Sequence, residues 1–202
     1  MPTPSTSTTN AIRPPHIVAI SGSPSARSRS TALLQLALMS LEGDSASQQL
    51  ISVRELPAVA LLTADVQNPE ICAAAEAVAR ADLVIVATPI YKAAYSGLLK
   101  TFLDLLPQEA LRGKTVLPLA TGGSPAHLLA LDYTLKPVLA ALGARHVLDG
   151  VFATDLQLQA HESGFVPDPA LLERLDRALQ GLAEDRPRCR PSLARGAASL
   201  AR

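Results

Sequence analysis

The chain has 202 residues, 48% of them hydrophobic, and its eighteen basic residues balance eighteen acidic ones. This describes one ordinary domain with a sizeable core, lacking the positive field of a nucleic-acid or anionic-membrane binder. No apolar run approaches the ~18 residues of a membrane span. The two cysteines, Cys72 and Cys189, have neither metal nor redox spacing, which predicts a reducing, cytoplasmic setting.

Residues 1–15 are rich in Ser, Thr and Pro, without the apolar centre of a secretory signal, and read as a disordered extension. A short apolar run, Ile17 to Ile20, predicts the first strand. It ends in Ser-Gly-Ser-Pro, followed by Ser25, Arg27, Ser28, Arg29, Ser30 and Thr31. A helix is expected from Ser30 to Leu41, stopped by Gly43-Asp44. Gln49 to Val53 reads as a second strand, and Leu56 to Val66 as an irregular connection. Asn68-Pro69 has the composition of a helix cap and first turn.

Leu83 to Thr88 is a continuous, partly β-branched apolar run, as expected of a strand buried on both faces and ended by Pro89. A loop holding Tyr91, Lys92, Ala93 and Tyr95 precedes a helix from Gly97 to Leu106. Thr115 to Thr121 reads as a strand, although Pro118 argues against a central position. Gly122-Gly123-Ser124 then leads into a helix reaching Leu142, with a break expected near Pro137. His146 to Phe152 is the fifth predicted strand, and 156–166 a polar connection. Asp168-Pro169 opens a last helix with a stripe of Leu171, Leu172, Leu175, Leu179 and Leu182. The folded unit is thus 16–186, followed by a flexible Arg-rich tail, 187–202.

This alternation predicts an α/β fold: a parallel sheet with helices on both faces, binding its ligand beyond the carboxyl ends of the strands. The chemically unusual loops, 21–31, 88–97 and 121–125, all follow strands. The first is neither a Walker A loop nor GxGxxG. Its hydroxyls and arginines at a helix start suit a terminal monophosphate, though a plain strand-to-helix turn with a Ser/Thr cap has the same composition. The second offers two tyrosines to flank a flat ring, or to pack on neighbouring helices. The Gly pair of the third permits close backbone approach. Together the loops describe a planar heterocycle carrying one phosphate, and flavin mononucleotide (FMN) fits.

The blocks GSPSARSRSTALL (22–34), VATPIYKAAYSGLLKTFLDLLP (86–107) and GKTVLPLATGGSPAHLLALDYTLKPVLAALGA (113–144) resemble the NAD(P)H-dependent FMN reductases of alkanesulfonate utilisation. The resemblance spans about 16–180. It implies a flavodoxin-like, doubly wound, five-stranded parallel sheet in the order 2-1-3-4-5. It also implies Ser23, Ser28, Arg29, Ser30 and Thr31 around the FMN phosphate, with Pro89, Ile90, Tyr91, Lys92 and Ala93 along the flavin. Thr121, Gly122, Gly123 and Ser124 fall at the ring edge. Ser25 stands where relatives often carry an arginine, with Arg27 two residues on. Tyr133 matches a tyrosine tied to a π-helical bulge at an oligomer interface.

The activity implied is hydride transfer from NADPH (NADH in some members) to FMN, by homodimers or homotetramers. Reduced flavin then passes to an FMN-dependent monooxygenase that desulfonates alkanesulfonates in sulfur assimilation. No acid, base or metal is expected to act, because the cofactors carry the chemistry. Two alternatives use the same loops: a quinone, azo or metal-oxyanion reductase with bound FMN, and a flavodoxin-like electron carrier. A non-flavin phosphate-binding module is a further reading of the first loop.

Overall fold

The computed structural model describes residues 14–43, 45, 47–162 and 164–184. The expectations for the N-terminal extension (all but Pro14 and Pro15) and for the Arg-rich tail lie outside the described residues. Five strand positions form a parallel sheet ordered β2-β1-β3-β5-β6. They are β1 (His16–Ser21), β2 (Ser47–Ser52), β3 (Leu83–Tyr91), β5 (Thr115–Gly122) and β6 (His146–Val147). In chain order of the parallel strands this is 2-1-3-4-5, the flavodoxin-like winding.

Alternation along the strands builds two cores. Val18, Ile20, Val84, Val86 and Val116 face one side. There they meet α3 (Pro69–Arg80) through Ile71, Ala74 and Val78, and α4 (Gly97–Leu103) through Leu99 and Phe102. Ile17, Ala19, Ile85, Leu117 and Leu119 face the other side. They meet α1 (Arg29–Ser40) through Leu33, Leu34 and Ala37, and α6 (Pro169–Glu184) through Leu171, Leu175 and Leu179. Leu172 lies off that stripe, exposed. Asn68 caps α3 as its composition predicts, its side chain accepting from the amides of Glu70 and Ile71.

The structure differs from expectation where prolines meet the sheet. Pro118 sits inside β5, a central strand, between β3 on one side and the fifth strand position on the other. The fifth position is split: β6 pairs with Thr115 and Val116, while β7 (Val151–Thr154) pairs with Leu119 to Gly122. The carbonyl of Val116 accepts from Leu148, so even-numbered residues of β5 face the split strand. The N–H that Pro118 lacks would point into the gap between β6 and β7, where no ladder bond is forfeited. Gly150 lies in that gap, and a Cβ there would come within 3.1 Å of the Pro118 carbonyl oxygen.

Pro89 does not end β3 either. It pairs with Thr121, and its missing N–H faces the β1 side, beyond the end of β1 at Ser21. Residues 91–94 form a two-residue turn into β4 (Ala94–Tyr95), antiparallel to the tip of β3. The connection at 56–66 contains α2 (Ala58–Thr63), closed by Ala64 in the left-handed region. The predicted helix from Pro125 to Leu142 is three pieces: a 3₁₀ turn (Pro125–His127), a π-helical turn (Leu131–Leu135) and α5 (Lys136–Ala141). The polar connection at 156–166 holds a hairpin, β8 (Leu158–His161) with β9 (Gly164–Pro167).

Candidate functional site

The three unusual loops converge at the carboxyl ends of β1, β3 and β5. Register places them side by side: Ser21 lies opposite Ala87, and Pro89 opposite Thr121. Two contacts bind the first loop to the second, and a third closes the second on itself. The amide of Gly22 donates to the carbonyl of Ala87 at 2.8 Å, and the Ser96 hydroxyl donates to the carbonyl of Gly22. The Ser96 amide donates to the Thr88 hydroxyl at 2.9 Å. Gly22 is required there, because a Cβ would stand 2.5 Å from the Cβ of Leu99.

Around the N-terminus of α1 the hydroxyls are buried and mutually bonded. Ser21 Oγ and Thr31 Oγ1 are 2.7 Å apart, and Ser28 Oγ and Ser30 Oγ 3.0 Å. Ser28 caps the helix by accepting from the Thr31 amide, and Ser23 accepts from the amide of Ser25. Ser30 has no exposed surface. The first turn of α1 carries no acidic residue of its own to oppose an anion at the helix dipole. Pro24, Ser25 and Ala26 are exposed at the rim. Hydroxyls and first-turn amides thus gather at one helix N-terminus, an arrangement whose chemistry suits an anion.

The side chain of Arg29 is engaged elsewhere. Its Nε donates to the carbonyl of Leu158 at 3.0 Å, and Nη1 lies 3.5 Å from Asp155 Oδ2. Arg27 donates to the carbonyls of His161 and Gly164. The resemblance sets Arg29 among the phosphate-binding residues, whereas the hairpin at 158–167, weak in alternation, falls in a stretch that reads as a polar connection.

At the second loop, Pro89 and Ile90 continue β3, and Ile90 pairs with Tyr95 across the turn. Lys92 and Ala93 hold φ of 51° and 64°, both left-handed and both lacking the glycine or asparagine such a turn usually carries. Tyr91, at the base of the turn, is exposed. Tyr95 is half-buried against the core. Burial pushes its phenol above the ordinary tyrosine range, Asp104 adds to that rise, and Lys100 opposes it. Lys100 itself is held cationic by its hydrogen bond to Asp104.

At the third loop, Thr121 is buried and Gly122 ends β5. A Cβ on Gly122 would meet the Phe152 ring at 3.0 Å and Ile90 at 3.6 Å, which joins this loop to the second. Gly123 has no atom within 4 Å of a built Cβ, so open space lies beside its backbone. Ser124 caps the 3₁₀ turn through the Ala126 amide. The π-helical turn follows, with Tyr133 76% exposed and β4 packed beside it. Asp104, Asp132 and Asp155 are each paired, with Lys100, Lys136 and Arg29 respectively.

The family model for the NADPH-dependent FMN reductases matches residues 15–159. An FMN reductase (NADPH) of Escherichia coli strain K12 is 49% identical over 166 residues, covering 81% of this chain and 86% of the relative. The NADH-dependent FMN reductase SfnF of Pseudomonas putida is 33% identical over 81% of this chain and 88% of its own length. Among solved structures, the apo form of the NADH:FMN oxidoreductase EMOB superposes with a TM-score of 0.79 at 45% identity. That match covers 88% of this chain and 92% of EMOB. The chain belongs to the NADPH-dependent FMN reductase family, and is an oxidoreductase that uses FMN with a reduced nicotinamide dinucleotide.

Proposed function

We propose that this oxidoreductase transfers hydride from NADPH to FMN and releases the reduced flavin to a separate FMN-dependent monooxygenase, in the cytoplasm. The observation that carries the FMN reading is the hydroxyl cradle at α1, joined by Gly22 and Ser96 to the open backbone at the tips of β3 and β5. Ser23, Ser28, Ser30, Thr31 and the amide of Arg29 hold the phosphate. Pro89 to Ala93 support one side of the ring, and Thr121 to Ser124 its edge.

The isoalloxazine supplies the hydride-accepting chemistry when bound, so the protein's own work is orientation and water exclusion. The resemblance to alkanesulfonate reductases supports a role in sulfur assimilation. A homodimer or homotetramer is supported by the exposed Tyr91, Leu128, Leu129 and Tyr133 around the π-helical turn.

The experiment is steady-state oxidation of NADPH and NADH at varied FMN, with and without a candidate monooxygenase. FMN should behave as a saturable substrate. Protein that stays yellow through dialysis and reduces quinones without added FMN would instead establish the bound-flavin reading.

A further inference from the structure

The arginines of the first loop reach across to the β8–β9 hairpin and meet at one ring. The guanidinium carbons of Arg27 and Arg29 each lie 5.6 Å from the centroid of Phe165 on β9. Arg27 also donates to the carbonyls of His161 and Gly164, the pair that closes the hairpin, the latter at 3.3 Å. Arg29 holds Leu158 and Asp155 at the hairpin's base. Phe165 packs on the core shared by α1 and α6, and Leu158 is fully buried. The hairpin pairs with no other strand among the described residues, so these contacts are its link to the loop.

This arrangement has a physical consequence for the anion cradle. Two cations two residues apart would repel each other and sample many rotamers if left free. Stacking on one ring, with carbonyls and Asp155 as further partners, gives each a defined seat. The backbone between them, which carries Ser28, is then held at both ends. A cradle ordered before binding loses less entropy when the anion arrives.

We infer that Phe165 is a positioning residue for phosphate recognition: through Arg27 and Arg29 it pre-orders loop 22–31 and so sets the preference for FMN over riboflavin. The inference rests on that loop being the phosphate site.

The test is fluorescence titration of the full chain with FMN and with riboflavin, which shares the ring but lacks the phosphate. Phe165→Leu keeps apolar bulk and removes the π face. It should raise the FMN Kd about tenfold and leave the riboflavin Kd within about twofold. Phe165→Tyr should restore FMN binding. Should Phe165→Leu fail to fold, Arg27→Gln carries the test, with the same phosphate-specific loss expected. An unchanged FMN Kd, or equal losses for FMN and riboflavin, overturns the inference. Ser28→Ala separates it from the reading beneath it. If Ser28→Ala weakens FMN alone and Phe165→Leu does not, only the role of Phe165 fails. If neither variant distinguishes FMN from riboflavin, the loop is not the phosphate site.

Discussion

The Ser96 hydroxyl donates to the carbonyl of Gly22 while accepting from the amide of Leu99, so one buried atom both caps α4 and fastens the turn after β1. Ser96→Ala removes both bonds and leaves a buried carbonyl unpaired. The expected loss is about 2 kcal/mol of stability, read by urea unfolding. The FMN KM should rise in the same variant, because the loop loses its tie to the ring side of the site.

Gly22→Ala should be costly for a different reason. The new Cβ would overlap the Leu99 Cβ, and overpacking of this kind costs about 1–3 kcal/mol. Adding Leu99→Ala should fail to rescue it, since alanine keeps the atom that clashes. Thermal melts of the single and double variants decide this, and recovery in the double variant would show the contact to be softer than described.

Ser28 caps α1 and bonds Ser30. Ser28→Ala should lower stability by about 1 kcal/mol and raise the FMN KM, with kcat at saturating FMN little changed. A fall in kcat with constant KM would place Ser28 outside the phosphate site.

Tyr95 gives a pH prediction. Its folded-state pKa is raised by burial, so the phenol deprotonates more readily in the unfolded chain. The resulting stability is fully present below the unfolded pKa of 10.0 and is lost as pH rises through the folded value. Tyr95→Phe should therefore flatten the alkaline fall of the urea midpoint and leave the neutral range unaffected by titration.

Much of this architecture is legible in the residues. The apolar runs 17–20, 83–88 and 115–121 are buried on both faces, and burial of that kind writes itself as continuous hydrophobicity. The three loops are also legible, because their unusual chemistry falls each time at the carboxyl end of a strand. Other elements were hidden for physical reasons. Helix α2 has six residues, too few for a helical period to emerge. Hairpin β8–β9 is held by arginines more than 120 residues away in sequence, and no local pattern encodes such partners. Pro118 misled because proline's cost depends on what its N–H would face, which only the register reveals.

The split of the fifth strand at Pro118 also bears on solubility. The outermost strand presents pieces of only two and four residues, parted by the irregular residues 148–150. An incoming chain finds no long, flat run of free amides and carbonyls to zip onto at that border. A proline that looked like a flaw in a central strand thus helps guard the sheet against edge-on aggregation.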